Sequence, residues 1–160
     1  MISIEIDNIK SFMSHLLIKD NLDYFLCKEI SIQTFSTFNV DGSIVSDFLT
    51  EEEKENLKDK KYIPWGMLKP YCFNIIKGTR TPLSMKAVFV LAAEDLKKLI
   101  AKSGLNIDAS PIEGLYLNIR FEGNKLNLIS GSSLNYFTLD KTVDRMWDEE
   151  VKESLSFLFE

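Results

Sequence analysis

The chain has 160 residues, of which 45% are hydrophobic and 27% charged, and a net charge of −5. These values fit one globular domain with its own core, spanning 1–160, and exclude a disordered polar chain. The acidic balance disfavours direct nucleic-acid binding, which needs a clustered Lys/Arg face.

No apolar run approaches the length of a membrane span, and the first residues lack a basic-then-apolar leader, so a cytoplasmic protein without membrane contact is expected. Much of the negative charge falls near the end of the chain, at Asp140, Asp144, Asp148, Glu149, Glu150, Glu153 and Glu160. The two cysteines, Cys27 and Cys72, are far apart in sequence and sit in apolar runs. They read as reduced core thiols, not as a disulfide framework or a zinc site.

Ile2, Ile4 and Ile6 alternate with polar residues and predict a short half-buried strand. Asp7, with Asn8 as the alternative, is expected to cap a helix whose apolar face is Ile9, Phe12, Met13, Leu16 and Leu17. Residues 28–40 are β-branched and aromatic and predict one long strand with a bulge between Thr34 and Phe38. Asp41-Gly42 predicts a turn, and 43–48 a returning strand. Thr50 and Glu53 have capping-box spacing. The helix they open carries acids first and Lys58, Lys60 and Lys61 last, as the helix dipole favours. Residues 62–76 predict a helix kinked or restarted at Pro70.

After a loop at 78–82, residues 83–91 predict a buried strand. Leu96, Leu99 and Ile100 predict an amphipathic helix stopped by Gly104. Leu115, Leu117, Ile119 and Phe121 alternate strictly, turn at Gly123-Asn124, and return through Leu126 and Leu128 as a hairpin. A short strand is expected at 135–139. Trp147, Val151, Leu155 and Leu158 then line one face of a last helix.

This order gives an α+β fold: a mostly antiparallel sheet with helices packed on one side. A β-α-β-β order runs through 2–48 and again through 83–139. Such a pseudo-repeat resembles a half-unit of the DNA sliding-clamp fold. The stretches 34–42, 65–73 and 76–83, with Asp140-Lys141 and Trp147-Asp148, resemble an uncharacterised family. Its members are small cytosolic proteins of Gram-positive, largely anaerobic bacteria. The resemblance spans nearly the whole chain and implies no activity.

His15 is the sole histidine, and on its helix it points sideways or to solvent, with no orienting partner evident in the sequence. It therefore gives no nucleophile–base pair. Lys69 and Lys77 would lower the pKa of Cys72 only if both lay close. Asp144, Asp148 and Glu149 read as a solvated face rather than a metal site. No catalytic residue, metal or cofactor is assigned.

Two segments remain as binding candidates. Lys77, Gly78, Thr79, Arg80 and Thr81 combine cations, hydroxyls and a glycine in a loop that can cradle an anion or phosphate. The same residues also make an ordinary helix C-cap. Phe157, Leu158 and Phe159 end the chain as an apolar tail that can meet a protein partner or a second copy. The expected function is a non-catalytic binding or protein-interaction module. The alternatives are an enzyme or binding protein for a phosphorylated small molecule or nucleotide using the loop 77–82, and a clamp-like subunit associated with nucleic-acid processing.

Overall fold

The computed structural model describes residues 1–78 and 80–159. Thr79, in the candidate loop, lies outside them. The strands are β1 (Ser3–Ile6), β2 (Leu26–Gln33), β3 (Thr37–Asp41), β4 (Ile63–Pro64), β5 (Ser84–Val90), β6 (Ile112–Glu122) and β7 (Lys125–Leu134). The helices are α1 (Ile9–Leu17), α2 (Glu51–Asn56), α3 (Trp65–Ile76), α4 (Ala93–Ser103) and α5 (Thr142–Ser154).

The strands form one sheet in the order β1-β7-β6-β5-β2-β3, with β4 on the free end of β2. Every pairing is antiparallel. The architecture is α+β. The stretches 2–48 and 83–139 share this sheet but occupy it differently. Strand β1 is an edge strand against β7, whereas β5 is flanked by β6 and β2.

Period-two alternation divides each strand between two faces. Met85, Ala87 and Phe89 of β5, with Leu115, Leu117, Ile119 and Phe121 of β6, turn to one face and are buried. They share a core with Phe12 and Leu16 of α1, Trp65 and Cys72 of α3, Leu96 and Leu99 of α4, and Trp147 and Val151 of α5. Both tryptophans keep their indole N–H satisfied inside it. Trp65 Nε1 donates to the Leu16 carbonyl and Trp147 Nε1 to the Tyr116 carbonyl, each at 2.8 Å. Helix α5 is latched to β7 by hydroxyls that donate to its acids, Ser130 to Asp148 and Ser132 to Asp144.

Several sequence expectations are met in detail. Gly123 (φ 59°) and Asn124 (φ 60°) form the two left-handed positions of the β6–β7 turn, as a two-residue primed turn requires. Thr50 and Glu53 make both capping-box bonds, at 3.2 and 2.9 Å. Gly104, at φ 70°, ends α4. Trp147, Val151, Leu155 and Leu158 are all buried.

Other expectations are corrected. The long strand at 28–40 is two strands, turning at residues 34–36, where Thr34 N donates to the Ser36 carbonyl at 2.9 Å. Asp41-Gly42 is not a hairpin turn. Gly42 instead passes so close to β2 that a Cβ there would lie 1.6 Å from the Cys27 carbonyl oxygen. Gly42 N donates to the Lys28 carbonyl and its own carbonyl accepts from Ile63 N, both at 2.9 Å. Residues 46–48 form a single 3₁₀ turn instead of a strand. Helix α2 stops at Asn56, before the lysines expected in its last turn. Asn8, not Asp7, caps α1 by accepting from Ser11 N. Residues 135–139 form no strand, and Phe137 and Leu139 are exposed there.

The close approach at Gly42 makes a direct prediction. Gly42→Ala should lose at least the ~1–3 kcal/mol typical of overpacking, read as a lowered denaturant midpoint. Gly131→Ala, whose Cβ would sit 3.9 Å from Asn118 Nδ2, should stay within about 0.5 kcal/mol of wild type.

Candidate functional site

Helices α1, α3, α4 and α5 bury their side chains against one face of the sheet, and the other face is open over its central part, where Glu29, Lys86 and Arg120 are exposed. Parity places Glu29, Ser31, Lys86, Val88, Asn118, Arg120 and Ile129 on that open face, between core residues of the same strands. Together with Asn39 and Asp41 of β3 they line a groove of about 820 Å³. This lies within the roughly 300–1,000 Å³ range of small-ligand sites.

A bulge in β2 aligns the face. Cys27 pairs with Phe89 and Glu29 with Val88, so Lys28 is the extra residue. Cys27 and Ile30 are three residues apart and both core-facing, which an unbroken strand does not allow. The bulge restores the phase and sets Glu29 and Ser31 on the open side. Lys28 Nζ sits 5.8 Å from the centre of the Tyr116 ring, a cation–π distance. Beside it Leu26, Val90, Ala92, Tyr62 and Tyr116 form a small apolar cluster that closes one end of the face.

The register puts two charge rows side by side. One runs Asn39, Ser31, Lys86, Arg120, Asn127, Glu5 across β3, β2, β5, β6, β7 and β1. Its neighbour runs Asp41, Glu29, Val88, Asn118, Ile129, Ser3. Lys86 and Arg120 are thus direct cross-strand partners, as are Glu29 and Asp41. The Ser43 side chain and backbone N–H hold the Asp41 carboxyl below the usual carboxylate range. It therefore acts as an ionised acceptor near neutral pH.

A second cleft, about 370 Å³, opens between α4 and α5. Phe25, Leu99, Trp147 and Val151 make its floor, and Tyr24, Asp95, Lys98 and Glu150 stand at its rim. Burial first, then the charges of Asp95 and Glu150, push the Tyr24 hydroxyl up to about 12. Burial, then Glu94, raises the Asp95 carboxyl. Glu150 is already held by Lys102 at 3.0 Å and by the Ser154 hydroxyl.

The sequence-derived candidates fall elsewhere. Lys77, Gly78, Arg80 and Thr81 are exposed and line neither cavity. Gly78 takes φ 149° just after α3. Leu158 belongs to the core, while Phe157 and Phe159 pack half-buried against it. Phe157 lies against His15, ring centres 4.9 Å apart. His15 does have an orienting partner, since its Nδ1 lies 2.8 Å from Asn21 Oδ1. Lys69 turns to Asp23 at 2.7 Å and to the Lys19 carbonyl, not to Cys72.

Burial pushes the Cys27 thiol up to about 12 and the Cys72 thiol up to about 11. Asp144 and Asp148 are engaged by Ser132 and Ser130. Among the described residues no three His, Cys, Asp or Glu side chains are grouped to hold a metal. No helix there is long and apolar enough to cross a membrane. Sequence reasoning missed the open-face groove because its residues come from five strands, β2, β3, β5, β6 and β7. The only local signal was the polar phase of the β5 and β6 alternation.

Over residues 15–158 the sequence matches a family of unknown function, DUF5721. The chain belongs to that family. No curated protein and no solved structure matches it significantly. Family membership therefore carries no chemistry to this DUF5721 chain, and the geometry must supply it.

The thiol environments are directly testable. At pH 8 a thiol reagent should leave both cysteines of the native DUF5721 protein unlabelled, and both should react once the protein is denatured. Rapid labelling of the folded protein would contradict the buried, neutral thiols described above.

Proposed function

We propose that the protein is a non-catalytic binding module that receives a small ligand on the open face of its sheet. One observation carries this reading: a ligand-sized groove with charged, amide and hydroxyl groups on the sheet face opposite the one on which α1, α3, α4 and α5 bury their side chains. An antiparallel sheet can leave one face in water, and the concavity of this one, about 820 Å³, is of the size that small ligands occupy.

The groove's chemistry favours binding over catalysis. It is lined by carboxylate, amide, hydroxyl and cationic groups, and among the described residues no histidine or cysteine joins them. Its Asp41 carboxyl is stabilised in the ionised form and so does not serve as a proton donor at neutral pH. The thiols face the core on the other side of the sheet. His15 lies on α1, part of the helical layer.

A thermal-shift screen of small metabolites against wild type and Val88→Tyr tests this. Tyrosine suits a strand and fills the groove, so the unliganded variant should melt near wild type. A ligand at 100 times its dissociation constant stabilises the native state by about 2.7 kcal/mol. That stabilisation should vanish in Val88→Tyr and persist in Arg80→Ala and Asp95→Asn, with no consumption of the ligand. Hits that survive Val88→Tyr but vanish in Arg80→Ala or Asp95→Asn would move the site to the loop or to the α4–α5 cleft. Turnover of the ligand would overturn the non-catalytic reading.

A further inference from the structure

Two like-charge pairs face each other across the groove. Lys86 and Arg120 are register partners in the central strands β5 and β6. Glu29 and Asp41 are register partners in β2 and β3. Directly opposed side chains on one face have Cβ atoms about 4.5–5.5 Å apart, and like charges there are destabilising. A sheet selected for stability alone would place the four charges alternately, one acid against each base. Here they are segregated by sign.

The surroundings leave the cations uncompensated. Among the described residues neither Lys86 nor Arg120 makes an ion pair or side-chain hydrogen bond. The flanking members of their row, Ser31 and Asn127, are neutral and can donate. The facing acids are Glu29, diagonal to Lys86, and Glu122, two residues along β6 from Arg120 and paired with Ser84. Glu5 ends the row on β1. All three stay outside ion-pair distance of the two cations.

We infer that the groove binds a compact phosphate monoester whose body donates hydrogen bonds, an inference that rests on the open-face reading above. One tetrahedral oxyanion between Lys86 and Arg120 relieves their repulsion. Arg120 offers a planar fork for two oxygens and Lys86 a point charge, the division of labour these side chains show at phosphates. The body of the ligand then extends over β2 and β3. There Glu29 and Asp41 accept from hydroxyl or ammonium donors, and Asn39 and Asn118 supply amides. The same acids repel a polyanion crossing the face, so a nucleic-acid strand is disfavoured even though the two cations attract phosphate.

Calorimetric titration of the full-length protein tests this, with four probes: inorganic phosphate, glucose 6-phosphate, O-phosphoethanolamine and unphosphorylated glucose. A single-stranded oligonucleotide is the fifth. Both monoesters should bind more tightly than inorganic phosphate, and glucose should not bind. Their relative affinities distinguish hydroxyl from ammonium donors. Arg120→Gln and Lys86→Gln should each weaken the monoesters at least tenfold. Each variant should also melt at or above the wild-type temperature without ligand, because a like-charge contact is removed. Asp41→Asn should narrow the gap between monoester and inorganic phosphate.

Monoester affinity unchanged in both cation variants would overturn the inference, as would an oligonucleotide binding more tightly than either monoester. Neutral ligands that bind and are blocked by Val88→Tyr, with no phosphate probe bound, would overturn the anion assignment alone. The open-face reading would then stand.

Discussion

Strands β5 and β6 can each bury only every second side chain. The helices have settled on the side that carries Met85, Ala87, Phe89, Leu117, Ile119 and Phe121. Once that side is chosen, Lys86, Val88, Asn118 and Arg120 have nowhere to go but the opposite face. The large apolar gain of the first set fixes the position of the second. At roughly 1.5–3 kcal/mol for each large side chain buried, the core outweighs by far the few tenths lost where Lys86 meets Arg120. The like-charge contact can therefore persist without endangering the fold.

The rest of the molecule sharpens this division. The Lys28 bulge re-phases β2 so that Glu29 and Ser31 join the open face while Cys27 and Ile30 stay inside. Gly42 lets the chain after β3 press against that bulge, where any side chain would collide with the Cys27 carbonyl. The indole of Trp147 pins α5 to the Tyr116 carbonyl from the core side, and the Tyr116 ring closes the apolar end of the open side. One short stretch of β6 thus serves both layers.

Much of this was legible in the sequence where the signal is local. The strict alternation from Leu115 to Phe121 and the Gly123-Asn124 turn specified the β6–β7 hairpin. The spacing of Trp147, Val151, Leu155 and Leu158 specified the buried face of α5. The split of residues 28–40 was hidden, because the turn at Phe35 and Ser36 uses none of Gly, Pro, Asn or Asp. The Asp41-Gly42 signal misled for the opposite reason: that glycine answers a tertiary close approach, not a turn. The groove was illegible in principle from local pattern. Lys86 meets Arg120, and Glu29 meets Asp41, only through pairings whose register is set by the packed core. The loop at 77–80 stood out because two cations, Lys77 and Arg80, flank a glycine within four residues, yet the structure leaves both exposed on the surface, outside the groove and the α4–α5 cleft.

A binding surface organised around Lys86 and Arg120 on the open sheet face would reveal itself in solution as soon as a ligand is added. Amide chemical-shift mapping of the wild-type protein with glucose 6-phosphate examines it most directly, since it locates a ligand without altering any residue. A single saturable set of shifts is expected, centred on Ser31, Lys86, Arg120 and Asn127 and spreading toward Asn39 and Asp41. Shifts confined to Lys77, Gly78 and Arg80, or to the facing sides of α4 and α5, would contradict it.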